Sequence, residues 1–226
     1  MLGIDEAGRG PVIGPLVVVG VALENEQKLI TLKVRDSKKI APKKRKELAE
    51  QIKKIAKIEY IILSAKEIDT LREKFTLNEI EAKLFAKIIN KILSIDDRRT
   101  PNSELSEPSE RSKLSLRIYV DSADANTETF RKMILNELRL STLQIISEHK
   151  ADENYPVVSA ASIIAKVIRD REIEKIKKEV GYDFGSGYPS DVRTIEYIKK
   201  IIENKRELPV YVRRSWDTVQ RLIKEN

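Results

Sequence analysis

Short apolar segments that alternate with longer amphipathic ones are the feature that most limits how this chain can fold. Residues 16–23 and 58–63 are apolar runs of strand length, rich in valine and isoleucine. Residues 159–180 instead carry apolar side chains at intervals of three and four, the spacing of one helix face. Because strands alternate with helices and the first two strands resemble a hairpin, we expect an α/β fold with a mixed sheet flanked by helices.

The composition restricts the kinds of site that such a fold can carry. The 226 residues suffice for one sizeable domain, or for one domain with a small appendage. With no cysteine and a single histidine, His149, disulfides, thiol catalysis and multi-histidine metal sites are excluded. A net charge of +7 favours a polyanionic partner such as nucleic acid. No segment resembles a signal peptide or reaches membrane-spanning length, which predicts a soluble, cytoplasmic protein.

Acidic residues lie at or beside predicted strand ends, where α/β sheets form their ligand sites. Asp5 ends the first predicted strand, Asp121 ends another, and Asp152 precedes the long helix. Clustered carboxylates repel one another unless they share protons or hold a cation, and an all-oxygen set suits Mg²⁺ or Mn²⁺. Two such ions about 4 Å apart are a known arrangement for displacement at phosphorus. Each acid taken alone is equally well explained as a helix cap.

Glu6 follows Asp5 directly, which raises a question of geometry. Neighbouring side chains of a strand point to opposite faces, so both acids reach one site only if the backbone leaves the strand here. Gly8 would ease that departure. Glycines on both sides of Arg9 would also let the backbone approach a ligand closely; a glycine-rich turn with a solvent-facing arginine is the alternative.

Several motifs, in the same order along the chain, resemble those of ribonuclease HII, the type 2 ribonuclease H. Six of them span residues 3–191, most of the chain, and a seventh extends the resemblance to residue 216. Taken together, the motifs resemble those of the archaeal, single-chain members of that family. The motifs are GIDEAGRG at 3–10, RDSKK at 35–39, YVDS at 119–122, KAD at 150–152, YPVVSAAS at 155–162, GSGYPSD at 185–191 and VRRSW at 212–216.

The resemblance implies a ribonuclease H-like fold, with a five-stranded mixed sheet flanked by helices and a helical C-terminal region. It implies an endonuclease that cuts the RNA strand of RNA/DNA hybrids, and single ribonucleotides embedded in duplex DNA, in replication and repair. The products would carry 3′-hydroxyl and 5′-phosphate ends, and catalysis would use Mg²⁺ or Mn²⁺, two ions together. Carried over position by position, the catalytic, metal-binding carboxylates would be Asp5, Glu6, Asp121 and Asp152.

The same resemblance assigns residues that recognise the substrate. Gly8, Arg9 and Gly10 would contact the ribose 2′-hydroxyl, which both donates and accepts hydrogen bonds, and the adjoining phosphates. Tyr188 would stack on the sugar at the RNA-to-DNA junction. Read without the family, a tyrosine in such a loop is more often a packed anchor.

Further positive side chains are candidates for holding the substrate backbone. Lys166 and Arg169 lie one turn apart on the long helix and could face the acids or the nucleic acid. For His149 we expect a local hydrogen bond rather than a role in proton transfer. Phosphates would also be held by residues of the loop before Pro42, where the first predicted helix begins: Ser37, Lys38 and Lys39.

The chain is expected to contain a catalytic domain, residues 1–190, with a C-terminal helical region, residues 191–226, packed on it. Residues 95–113 are nearly all polar and predict a surface loop or insertion. The QRLI sequence at 220–223 begins like the tail by which archaeal members bind a sliding clamp, but the aromatic residues are absent. This argues against clamp binding through that motif, and we expect a monomer.

Two other functions are open from the residues alone. Another nuclease of the same fold, such as a junction resolvase or an integrase core, would also use clustered acids. Such a nuclease, however, would not explain why the Gly-Arg-Gly segment and Tyr188 both occur in this chain. A basic nucleic-acid-binding module without catalysis would leave the acids dispensable, whereas all four acids of the motifs are present.

Overall fold

The structure is a computed structural model in which five described strands form one mixed sheet flanked by helices, as predicted. It describes residues 1–34, 40–98, 116–138, 143–205 and 207–225. The strands are β1 (Leu2–Ala7), β2 (Leu16–Ala22), β3 (Lys57–Leu63), β4 (Arg117–Asp121) and β5 (Gln144–Glu148).

Within the described residues, the helix expected over residues 159–180 is present and runs over Pro156–Val180. Pro42 occupies the first turn of one helix, where its missing N–H leaves no bond unmade. Ser64 and Glu67 form a capping box, in which the backbone N–H of Ser64 donates to Glu67 Oε2 over 2.8 Å. The helices are α1 (Gln27–Thr31), α2 (Pro42–Ile55), α3 (Ala65–Arg72), α4 (Leu77–Arg98), α5 (Thr127–Glu137), α6 (Ala151–Asn154), α7 (Pro156–Val180), α8 (Val192–Glu203) and α9 (Asp217–Lys224).

The strands are ordered β3-β2-β1-β4-β5, and β1, β4 and β5 run parallel to one another. The side chains of β4 alternate between the two faces of the sheet: Ile118 and Val120 are fully buried, whereas Arg117 is exposed. A Cβ at Gly3 would stand 2.4 Å from the backbone of Val157, so only glycine lets β1 approach the start of α7. This close approach fixes the strand that carries Asp5.

Three local features differ from the sequence-based expectations. β1 continues to Ala7 instead of ending at Asp5. The short helices α1 and α6 were not predicted, because four or five residues are too few to show a helical period. α4 runs to Arg98 and so includes the first residues of the polar segment 95–113, of which residues 99–113 lie outside the described chain.

The chain forms two compact units, each assembled from several segments. No helix in the described part of the chain combines the length and apolar character needed to cross a membrane. The predicted domain boundary after residue 190 is a different division and stays a prediction. The first unit comprises residues 1–5, 18–61 and 78–165; the second unit comprises residues 6–17, 62–77 and 166–226, with a core that includes Ile13, Phe184, Ile198 and Val219.

Candidate active site

Asp5 and Asp121 lie on neighbouring parallel strands of the first unit. Ile4 is in register with Val120, so the two acids come next on β1 and β4 and point to the same face. Neighbouring strands are about 4.8 Å apart, which makes the two acids immediate neighbours. One row across the sheet thus brings together two of the predicted carboxylates.

Asp152 is brought towards this row by a sharp turn after β5. Lys150 has a left-handed backbone, with φ of +56°, and α6 begins at the next residue. The backbone N–H of Ala151 donates to Asp121 Oδ1 over 2.9 Å. Asp121 is therefore bonded to the residue that directly precedes Asp152, which holds the start of α6 against the end of β4.

The burial of these acids bears on what they can hold. Asp5 is 4% exposed and Asp152 is 2% exposed, while Asp121 is half-buried. Buried carboxylates are costly unless hydrogen bonds or cations compensate them, and an all-oxygen donor set fits a hard divalent cation. Among the described residues, however, no three acid or histidine side chains are arranged as a formed metal cage. The metal-binding assignment of these acids therefore stays a prediction, supported by their burial and by the register of Asp5 beside Asp121.

Glu148 joins the same row, and the sequence analysis did not single it out. It is in register with Asp121 on β5, and its Oε1 accepts a hydrogen bond of 2.7 Å from the Tyr155 hydroxyl. This bond raises the pKa of Tyr155 to about 12. The Tyr155 ring packs on that of Tyr119, with ring centroids 4.4 Å apart. Its position as the last residue of β5 was the signal that could have identified Glu148.

Glu6 is half-buried and lies within β1, because the strand continues past it to Ala7. The backbone does not leave the strand between Asp5 and Glu6, as the sequence analysis required for both to reach one site. Successive side chains of a strand point to opposite faces, so the local geometry directs Glu6 away from Asp5. Its assignment as a metal ligand thus rests on the motif and stays a prediction.

The Gly-Arg-Gly segment is held in the second unit by an arginine that the sequence analysis did not single out. Arg213 is fully buried and donates to three backbone carbonyls: Nε to Gly14 over 2.9 Å, Nη1 to Arg9 over 3.0 Å and Nη2 to Gly8 over 2.6 Å. Burial, together with the charge of Arg169, lowers the pKa of Arg213 to about 9, so the guanidinium stays charged at neutral pH. Its place in the VRRSW motif was the available signal.

Tyr188 lies beside this segment in the second unit. A Cβ at Gly10 would stand 3.7 Å from the Tyr188 ring, so backbone and ring are in contact range. The guanidinium of Arg169 lies 4.9 Å from the ring centroid and donates from Nη2 to the carbonyl of Ser186 over 2.6 Å. Gly8 has a φ of +91°, a conformation that favours glycine. The structure therefore brings the glycine-rich segment and Tyr188 together.

The remaining candidates have different outcomes. His149 forms the expected local hydrogen bond, with Nε2 3.1 Å from the carbonyl oxygen of Ala125. Lys166 is half-buried on α7, one turn before Arg169. The predicted phosphate-binding residues Ser37, Lys38 and Lys39 lie outside the described residues.

Comparison with known proteins decides the family. A family model described as Ribonuclease HII matches residues 2–219. The Ribonuclease HII of Methanococcus aeolicus is 43% identical over 230 residues, which cover 100% of this chain and 82% of that protein. The chain belongs to the ribonuclease HII family. It is therefore a hydrolase, a ribonuclease H-type endonuclease, and the resemblance read from its motifs is confirmed.

Solved structures agree with this family and its fold. The ribonuclease HII in the structure of the PCNA:RNase HII complex from Archaeoglobus fulgidus is 44% identical, with a TM-score of 0.80; the match covers 98% of this chain and 95% of that one. Bst-RNase HIII, solved in complex with Mn²⁺, is 22% identical with a TM-score of 0.78, covering 99% of this chain and 69% of that one. At that lower identity the likeness shows the fold alone, which is ribonuclease H-like.

Proposed function

We propose that this member of the ribonuclease HII family cuts the RNA strand of RNA/DNA hybrids and single ribonucleotides embedded in duplex DNA. The observation that carries the proposal is the register that makes Asp5 and Asp121 neighbours on paired strands, with Asp152 next to Ala151, whose N–H donates to Asp121. Acids gathered at one edge serve phosphodiester hydrolysis with a divalent cation, whereas a purely binding module has no use for them. The net charge of +7 suits a polyanionic duplex.

Asp5, Asp121 and Asp152 would hold Mg²⁺ or Mn²⁺, and Glu6 joins them on the strength of the motif. The ions held by these carboxylates would supply activation of a water and stabilisation of the leaving 3′-oxygen, and the products would carry 3′-hydroxyl and 5′-phosphate ends. The protein's own task is to keep the carboxylates oriented. The Ala151 N–H does so for Asp121, since it donates to Oδ1 of that carboxylate over 2.9 Å.

The second unit would recognise the ribose. Arg213 holds the carbonyls of Gly8 and Arg9, which fixes the backbone whose amides and carbonyls would read the 2′-hydroxyl. Gly10 is exposed beside the half-buried Tyr188, whose ring would stack on the sugar at the RNA-to-DNA junction. Because Arg169 contacts the Tyr188 ring, we assign it to positioning Tyr188.

The phosphate contacts and the partners complete the proposal. Ser37, Lys38 and Lys39 would hold backbone phosphates, as the family motif implies, and Lys166 is a weaker candidate. The enzyme would act as a cytoplasmic monomer in ribonucleotide and primer removal.

Clamp binding through the C-terminal motif is disfavoured, because residues 224–226 supply no aromatic side chain. Gln220 donates to the carbonyl of Arg214 over 2.6 Å, whereas Ile223, the aliphatic residue of the motif, is 41% exposed on α9. Clamp binding, as in the Archaeoglobus fulgidus complex, would therefore use another surface.

The deciding experiment compares two duplexes that differ in one atom of one sugar. A DNA duplex with a single embedded ribonucleotide should be cut when Mg²⁺ is supplied, and its all-DNA twin should stay whole. EDTA should stop the reaction, and Mn²⁺ can replace Mg²⁺ in a parallel arm. Equal cutting of both duplexes, or cutting that persists in EDTA, would reject the proposal.

A further inference from the structure

A cleft of about 320 Å³ opens in the second unit beside the Gly-Arg-Gly segment. Arg9 and Gly10 form one wall, Arg72 and Leu77 form another, and residues 215–217 form the third. Its volume is at the lower end of the range for small-ligand sites, so it admits one nucleotide unit and not a duplex.

Two buried or half-buried side chains hold the walls in place. The carboxylate of Asp69 on α3 accepts from Arg214 N over 2.8 Å, Ser215 N over 3.0 Å and Ser215 Oγ over 2.6 Å. Arg213 donates to the carbonyl of Arg9. All three walls are thus cross-linked by charged hydrogen bonds, which is the construction of a preformed site.

The chemistry of the walls points to a nucleotide. Arg72 is exposed, and its guanidinium makes no ion pair or hydrogen bond within the part of the chain that the structure describes. Trp216 is half-buried, and Arg213 lies 4.7 Å from its ring centroid. Arginine suits a phosphate and an indole suits a base or sugar. The carboxylate of Asp217 would repel a phosphate and so places it on the arginine side.

We propose that this cleft binds one nucleotide unit of the substrate strand, with its phosphate between Arg9 and Arg72 and its base or sugar against Trp216. The proposal rests on the proposed function and adds Arg72 and Trp216 to the residues already assigned to the substrate, which include Arg9 and Gly10. Nucleic acid is favoured over a free anion, because a flat aromatic surface beside two cations matches a nucleotide rather than a bare ion.

Trp216 is the only tryptophan of the chain, so its fluorescence reports on this cleft directly. The ribonucleotide-containing duplex is titrated in EDTA, with Trp216 emission and fluorescence anisotropy of a labelled duplex followed together. Wild type should show saturable quenching at the concentrations that raise the anisotropy. Arg72→Gln should bind about five- to tenfold more weakly, with a salt slope smaller by about 0.9, as expected for one lost phosphate contact.

Arg171→Gln is the matched control, because Arg171 is an exposed arginine of α7 in the same unit that does not line the cleft. It should bind the duplex like wild type. If Arg72→Gln and Arg171→Gln lost the same affinity for the duplex, net charge alone would explain the loss. If Trp216 emission stayed unchanged while the duplex bound, the nucleotide would not enter the cleft. Either result overturns the proposal. No binding and no Mg²⁺-dependent cutting by wild type would instead overturn the proposed function.

Discussion

Arg213 donates from Nη2 to the carbonyl oxygen of Gly8 over 2.6 Å, across 205 positions of the chain. The same guanidinium reaches the carbonyls of Arg9 and Gly14, so one buried side chain fixes the course of the glycine-rich segment. Glycines that permit close approach to a sugar also permit disorder. The buried Arg213 guanidinium restricts this freedom by bonding the backbone that we expect to contact the substrate.

Arg213→Lys tests this relationship, since lysine keeps the charge and loses the planar fork. We expect a loss of about 1–3 kcal/mol in the free energy of unfolding, because at least one buried carbonyl loses its charged donor. Cleavage at a single ribonucleotide should fall by about tenfold or more, since small misplacements of recognition groups are costly. Arg221→Lys, at an exposed position of α9, is the control and should leave both quantities unchanged. Wild-type cleavage by Arg213→Lys would contradict a positioning role.

Asp121→Asn and Asp152→Asn test the proposed carboxylate edge. Cleavage should fall by about a hundredfold or more, because the amide neither binds a divalent cation well nor stabilises developing charge. Without metal, the variants should be at least as stable as wild type, since a buried negative charge is removed from a crowded edge. Urea unfolding in EDTA measures this. Glu153→Gln is the control, because Glu153 is next to Asp152 but exposed, and this variant should cut the substrate like wild type. Wild-type cleavage by either Asp variant would contradict the assignment of that acid as a metal ligand.

Tyr188→Ala separates junction recognition from general binding. Cutting at a single ribonucleotide should weaken by about 5- to 100-fold, the value of one stacking contact, with a smaller loss on a long hybrid. Tyr188→Phe should retain most activity, because the ring that contacts Arg169 and Gly10 is kept. Tyr60→Ala, an exposed tyrosine of β3, serves as the control. Equal losses on both substrates would argue against a role at the junction.

Asp191 predicts how stability depends on pH. Its carboxylate accepts from the N–H of Ser186 over 2.8 Å and caps α8 through Arg193 N over 3.1 Å; these bonds lower its pKa to about 2. Because the folded pKa lies below the unfolded value of about 3.9, the stabilisation is complete above pH 4 and is lost as the pH falls towards 2. At pH 6 wild type should have a larger free energy of unfolding than Asp191→Asn, because the amide can still cap α8 but lacks the charge that these hydrogen bonds stabilise. The gap should shrink by pH 2 in urea titrations; a constant gap would refute the linkage.

The sequence determined the elements and, through its motifs, the family. The apolar alternation of β4 and the capping box at Ser64 predicted their elements because both depend on neighbours within four residues. The acids Asp5, Asp121 and Asp152 were selected by type and by position at strand ends. Nothing local could predict α6, whose four residues follow a left-handed Lys150 and depend on the bond between Ala151 and Asp121.

Only the tertiary structure decided which side chains share a surface. The register of β1 with β4 made Asp5 and Asp121 neighbours, and the register of β4 with β5 added Glu148 to the same row. The fold also assigned the three donors of Arg213 to carbonyls about 200 residues away. Such contacts depend on packing between distant segments, whereas residue type and spacing encode only local preferences. The sequence alone therefore determined what chemistry this protein carries, and the tertiary structure decided how its residues are held to perform it.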